Sequence, residues 1–219
     1  GIFGIIGLSH NNLAYIKSLS RHAKRRGQDS SGIMMFQDEY SVKRADFDIS
    51  KLTKDLRIKN PEIFLGIGRL ITNDNQAKQP FLSDDICVFH NGIIVNSNKE
   101  ETKKTVNLEG YNIKSDSLDF YENLDNINTN NKSFFENYLS YLKNIIGNYS
   151  IAYRLVDSSK IIISSNCGSL YYFFDDTTKA FIFSSEKIFV ENFLERANLF
   201  KVVGNNKKNN IFKVIDESI

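Results

Sequence analysis

The sequence opens on Gly1-Ile2-Phe3-Gly4-Ile5-Ile6-Gly7, a short apolar run bounded by glycines. A run of this length, rich in Ile and Phe and without polar alternation, has the pattern of a strand covered on both faces. Such a strand needs a layer above it and another below, so the first residues are expected in the core. Chain ends usually fray at the surface unless something ties them down. The start of this sequence is therefore a candidate functional element as well as a structural one.

The rest of the chain supplies the layers. Asn11 or Asn12 can cap a helix running to about Arg26, with Leu13, Ile16, Leu19 and Ala23 on one face and Lys17, Arg21 and Lys24 on the other; Gly27 ends it. Strands are expected over 32–37, 40–44, 63–71 and 86–95. Ser115 or Asp116 opens a short helix to Tyr121, and 133–146 carries Phe134, Phe135, Tyr138, Leu142 and Ile145 at helical spacing. Four strands follow, over 149–156, 160–164, 170–174 and 180–184, whose short polar turns predict an antiparallel meander. A helix from Ser184 to about Arg196 and weak strands over 201–203 and 211–215 close the sequence. Many short strands without regular βαβ alternation give an α+β class, with antiparallel sheets packed face to face under helices.

Composition narrows the function. With 219 residues, 41% of them apolar, the chain can build a large core, and no Pro/Gly/Ser-rich linker divides it, so one domain over 1–219 is expected. The formal charge is +2 and its cations are scattered among acids, which does not suit a nucleic-acid binder. No apolar run approaches the ~20 residues of a membrane span, and no signal-peptide pattern is present; the expectation is a cytoplasmic protein without a membrane partner. Cys87 and Cys167 fit core thiols in a reducing compartment. His10, His22 and His90 lack metal-ligand spacing, and no glycine-rich phosphate loop follows a strand, so neither a metal nor a cofactor is expected.

Four short segments carry polar chemistry, each with a plain structural alternative. Arg26-Gly27-Gln28-Asp29-Ser30-Ser31-Gly32 can be an ordinary polar connection. Arg69, in Gly66-Ile67-Gly68-Arg69-Leu70-Ile71-Thr72, can be an outward residue of an edge strand or a guanidinium offered to a carboxylate, for which its bidentate geometry suits it. In Val88-Phe89-His90-Asn91-Gly92-Ile93-Ile94-Val95, Asn-Gly is a strong hairpin signal; alternatively, the Asn91 amide and the Gly92 N–H form an oxyanion hole. Ser115-Asp116-Ser117 can cap a helix or present a carboxylate to an ammonium group.

Together and in this order, the segments resemble the class II glutamine amidotransferases, the N-terminal-nucleophile glutaminase domains of glucosamine-6-phosphate synthase, amidophosphoribosyltransferase and asparagine synthetase. The resemblance runs from Gly1-Ile2-Phe3-Gly4 through RGQDSSG, GIGRLIT, Gln79-Pro80-Phe81, HNGIIVN, SDS and Gly147-Asn148-Tyr149 to Ser184-Ser185-Glu186. It implies a four-layer αββα sandwich of two antiparallel sheets. It also implies that Arg69 holds the α-carboxylate of L-glutamine and Asp116 its α-ammonium, and that Asn91 and Gly92 stabilise the oxyanion. Backbone near Leu70, Thr72 and Asn73 would line the pocket, and Arg26-Gly27 would form the wall near the terminus. Two family histidines are replaced, by Ile67 and Asn73.

In the family a cysteine stands directly before Gly-Ile-Phe-Gly, as nucleophile through its thiol and as base through its own α-amine. An α-amine of pKa ~8 is partly neutral near pH 7 and can accept the thiol proton. Here Gly1 supplies an amine and no nucleophile, and neither Cys87 nor Cys167 carries a free amine. The resemblance thus implies glutamine hydrolysis through a thioester on a cysteine just ahead of Gly1, with ammonia passed to a synthase domain or subunit, since only a helix and two strands follow the motifs. Its alternative is a glutaminase-like domain that binds a ligand or partner without chemistry.

Overall fold

The computed structural model describes residues 1–7, 12–57, 61–71, 78–95, 116–127, 133–155, 160–175 and 179–196, with the strand segments 204–205 and 213–216. The helices among the described residues are α1 (Asn12–Ala23, continued by a 3-10 turn over Lys24–Arg26), α2 (Ile49–Lys54), α3 (Asp116–Asn126), α4 (Phe134–Lys143) and α5 (Lys187–Arg196). The strands are β1 (Ile2–Ile6), β2 (Ser30–Phe36), β3 (Tyr40–Ala45), β4 (Ile63–Arg69), β5 (Phe81–Leu82), β6 (Ile86–Val95), β7 (Ile146–Leu155), β8 (Lys160–Ser165), β9 (Tyr171–Phe174), β10 (Phe181–Ser184), β11 (Gly204–Asn205) and β12 (Lys213–Asp216).

They form two antiparallel sheets, one ordered β11-β9-β10-β1-β4-β2-β3 and the other β12-β8-β7-β6-β5. Three apolar clusters fill the gaps between four layers. Phe3, Ile5, Ile33, Met35 and Phe64 pack under α1, α2 and α5 through Ile16, Leu19, Ile49, Phe189 and Phe193. Ile2, Ile6, Met34, Leu65 and Ile67 meet Cys87, Phe89, Ala152, Ile161 and Ile163 of the facing sheet. Val88, Ile151, Tyr153 and Ile162 lie under α3 and α4 through Phe120, Leu124, Tyr138 and Leu142. Because strand side chains alternate between faces, Phe3 and Ile5 of β1 point to the helices while Ile2 and Ile6 point to the other sheet. That is why β1 carries apolar residues on both faces, and the sandwich is the expected αββα arrangement.

The expected meander does not form. β7 and β8 make a hairpin in one sheet, and β9 and β10 make a hairpin in the other, where β10 pairs with β1 through Phe3–Ser184 to Ile6–Phe181. Buried between layers, β1 needs hydrogen-bonding neighbours on both sides, and β10 supplies one of them. The crossing is made by Asn166, whose side-chain oxygen accepts from the Tyr149 N–H (2.8 Å) and whose amide nitrogen donates to the Gly147 carbonyl (2.8 Å), holding the departing chain against β7. Short turns do not reveal which sheet the next hairpin joins. Residues 201–203 and 211–212, expected as strand, lie outside the described residues.

Candidate active site

Gly1 is locked in place from two sides. Its nitrogen donates to the Gly68 carbonyl (2.5 Å), and its own carbonyl accepts from the Gly68 N–H (3.0 Å). On the other side, the Ile2 N–H donates to Ser185 Oγ (3.1 Å) and the Ile2 carbonyl accepts from the Ser185 N–H (2.8 Å). Arg26 Nε pairs with Glu186 (2.9 Å) beside this point. Burial above all, with the Arg26 charge next, pulls the Gly1 amine down from 8.0 to about 5; Glu186 opposes the shift and Arg69 adds to it. An amine enclosed here is neutral at pH 7.

Arg69 ends β4, and β4 lies between β1 and β2, so the edge-strand alternative does not hold. Ile2 to Ile6 pair with Ile67 to Ile63, and the Gly1–Gly68 bonds extend that register. The next position, ahead of Gly1, falls opposite Arg69. The segment after Gly27 braces this strand end: Asp29 N–H donates to the Arg69 carbonyl (3.1 Å), and its carboxylate accepts from the Ile71 N–H (2.9 Å). RGQD is thus more than a polar connection, since it fixes the backbone of Arg69, Leu70 and Ile71. The Leu70 side chain is exposed.

Asn91 and Gly92 do not form a turn. β6 runs straight through them, with Asn91 opposite Ser150 and Gly92 opposite Tyr149. Gly92 has φ +150°, and a Cβ there would sit 2.0 Å from the Asn148 carbonyl oxygen, so the position requires glycine. Among the described residues, no hydrogen bond engages the Asn91 side-chain amide.

Asp116 begins α3 but reaches back to β6, where one carboxylate oxygen accepts from the Ile94 N–H (2.9 Å) while the other accepts from the Ser117 N–H (2.8 Å). Behind it the His90 ring is buried, and burial is the main cause holding its pKa to about 4; Asp116 opposes this and Arg69 reinforces it. Arg69 therefore acts on both the Gly1 amine and His90, and Asp116 acts on the same histidine. These interactions draw the start of β1, the end of β4, the middle of β6 and the start of α3 into one electrostatic neighbourhood.

Known proteins resemble this chain in sequence and in fold. Over 124 residues, 53% of the chain, the sequence is 32% identical to a glutamine–fructose-6-phosphate aminotransferase (isomerizing) of Methanococcus maripaludis. The whole chain superposes on glutamine phosphoribosylpyrophosphate amidotransferase from B. subtilis with TM-score 0.65 at 15% identity, and on the allosteric regulatory enzyme of purine biosynthesis with TM-score 0.67 at 14% identity. In sequence over half its length, and in fold throughout, the chain resembles glutamine amidotransferases. No family model matches it. The chain spans about a fifth of the curated relative it matches and 49% of each of the two solved chains.

Within this chain, Gly1, Arg26, Gly27, Arg69, Asn91, Gly92 and Asp116 sit on segments that these contacts link, while Thr72 and Asn73 lie outside the described residues. Four further residues support them. Asp29 braces the Arg69 segment and Ser185 clamps Ile2. Gln79 donates to the His90 carbonyl (3.0 Å) and accepts from the His90 N–H (2.7 Å), and Ser117 Oγ lies 2.7 Å from His90 Nδ1. The motifs contained all four, but a sequence does not show which polar side chain of a motif faces the backbone.

Proposed function

We propose that this domain hydrolyses L-glutamine to glutamate and ammonia through a γ-glutamyl thioester on a cysteine directly ahead of Gly1, and that the ammonia serves a synthase domain or subunit. Glutamine would be held by its far end, the α-carboxylate on the Arg69 guanidinium and the α-ammonium on Asp116. Backbone around Leu70, Thr72 and Asn73, with Arg26 and Gly27 as a wall, would line the space between. The cysteine's own amine would take the thiol proton, and the thiolate would attack the side-chain amide carbon. The oxyanion so formed would accept from the Asn91 amide and the Gly92 N–H. Return of the proton to the amide nitrogen releases ammonia and leaves the thioester; water, deprotonated by the same amine, then frees glutamate and restores the thiol.

The observation that carries this proposal is the setting of the Gly1 nitrogen. It is fully enclosed and donates to Gly68, where an ammonium is penalised enough to lower its pKa to about 5. A peptide N–H makes the same hydrogen bond without desolvating a charge, and the residue it would join falls opposite Arg69. The greater length of the relatives is consistent with a synthase partner, because this chain covers only part of them.

The test is direct. The natural protein is sequenced from its N-terminus, weighed intact, and treated with a glutamine-like electrophile while ammonia release is followed. A cysteine ahead of Gly1, alkylated with parallel loss of turnover, is expected. A mature chain beginning at Gly1 would end the hydrolytic proposal.

A further inference from the structure

His90 is the residue of the HNG segment that the proposed reaction leaves without a task, yet it is the most constrained. Its ring is buried and lies 5.4 Å from the Phe120 ring. Its backbone is clamped through both polar groups by the buried Gln79 amide, which takes the place of a neighbouring strand. Its Nδ1 lies 2.7 Å from Ser117 Oγ, and that hydroxyl is also 3.4 Å from the Asp116 carboxylate. Nε2 has no hydrogen-bond partner among the described residues.

We propose that His90 is a positioning residue for the ammonium end of the substrate: Nδ1–H donates to Ser117 Oγ, Ser117 donates to Asp116, and this chain fixes the carboxylate relative to Asn91 and Gly92. The tautomer follows from counting donors. With the proton on Nδ1, the hydroxyl is free to donate to Asp116 and both contacts are satisfied. With the proton on Nε2, a buried N–H has no acceptor, and the serine must spend its hydrogen on Nδ1 instead of on Asp116. Buried donors without acceptors are costly and rare. The same Asp116 accepts from Ile94 N–H, three residues beyond Asn91, so the carboxylate is held from β6 on one side and through His90 on the other. His90 thereby couples the spacing of the ammonium anchor to that of the oxyanion donors. This role rests on the proposed glutaminase reaction.

The experiment compares glutamine with glutaramate, which is glutamine without its α-ammonium group, in the natural protein and in Ser117→Ala, His90→Gln and His90→Asn. Asn places an amide N–H near the Nδ1 position, whereas Gln reaches towards Nε2. Ser117→Ala and His90→Gln are expected to lower the kcat/KM preference for glutamine over glutaramate about tenfold, the effect of loosening one hydrogen bond to a charged group, and His90→Asn is expected to restore most of it. Nitrogen-15 NMR of the histidine rings, with His90 assigned by its loss in His90→Asn, is expected to show protonated Nδ1 and bare Nε2. Equal loss on both substrates, or protonated Nε2, in an active wild type overturns this role and leaves the glutaminase reaction standing. A wild type that neither binds nor turns over glutamine overturns that reaction, and this role with it.

Discussion

Gly27 lies against the peptide that joins Arg69 to Leu70: a Cβ on Gly27 would fall 1.9 Å from the Arg69 carbonyl carbon and 2.2 Å from the Leu70 nitrogen. The glycine is needed for this contact and not for its conformation, because its φ of 179° is ordinary extended backbone. The clash is with backbone, so Gly27→Ala must push the end of β4 and carry Arg69 with it. Overpacking of this kind costs about 1–3 kcal/mol, which the fold should survive. Glutamine affinity, measured by calorimetry, should fall at least about tenfold, or ~1.4 kcal/mol. Unchanged affinity would detach Arg69 from the substrate carboxylate.

Gln79 predicts a different phenotype, one of stability. Its side chain occupies both the N–H and the carbonyl of His90, and its own carbonyl is packed so closely on Gly32 that a Cβ there would approach to 1.8 Å. Gln79→Leu keeps the bulk and leaves two buried backbone groups unpaired, at about 1–3 kcal/mol each. A substantial drop in the urea midpoint is expected. A midpoint within error of wild type would mean that water or another side chain replaces the amide.

The layers were legible because β1, α1, α4 and β6 carry strong patterns at the period of their own structure. The sequence pattern does not mark α2, although Asp48 accepts from the Ser50 and Lys51 N–H groups as an N-cap and Ile49 and Leu56 face the core; six residues are too few for periodicity to stand out. The two-residue β5 is shorter still. At the site, the motifs named the polar residues, but only the fold settles whether Asn91-Gly92 bends. The local hairpin signal is outweighed by a ten-residue ladder with β7, in which the positive φ of Gly92 is accommodated within the strand.

The Gly1 setting makes a prediction about pH. In a chain whose first residue is Gly1, the folded state lowers the amine pKa from 8.0 to about 5, so between these values the unfolded chain binds more protons. Stability therefore rises with pH across this window; the penalty is complete below about 5 and gone above 8, and reaches up to about 4 kcal/mol. A chain with one residue ahead of Gly1 has an amide at this position and lacks that dependence. His90, lowered from 6.5 to about 4, adds acid sensitivity of the same sign to both chains below 6.5. Urea midpoints of the two chains should thus converge above pH 8 and separate as pH falls to 5. Parallel curves across that range would show that the amine escapes burial.

Asn91 offers the sharpest test of the chemistry, because β6 continues through it and any effect of substitution cannot be assigned to a broken turn. Asn91→Asp keeps the size and the strand position, and among the described residues the amide it replaces is bonded to nothing. The fold should therefore hold, with thermal midpoint and circular dichroism near wild type. The proposed oxyanion, however, loses a donor and gains a negative neighbour. Removal of one such donor lowers turnover about a hundredfold or more, or ~3 kcal/mol, and charge repulsion adds to the loss. Glutamine binding should suffer less, since Arg69 and Asp116 would grip the other end of the molecule. A collapse in kcat with modest change in KM is expected, measured in protein shown to carry a cysteine ahead of Gly1. Wild-type turnover in that variant would remove Asn91 from the reaction.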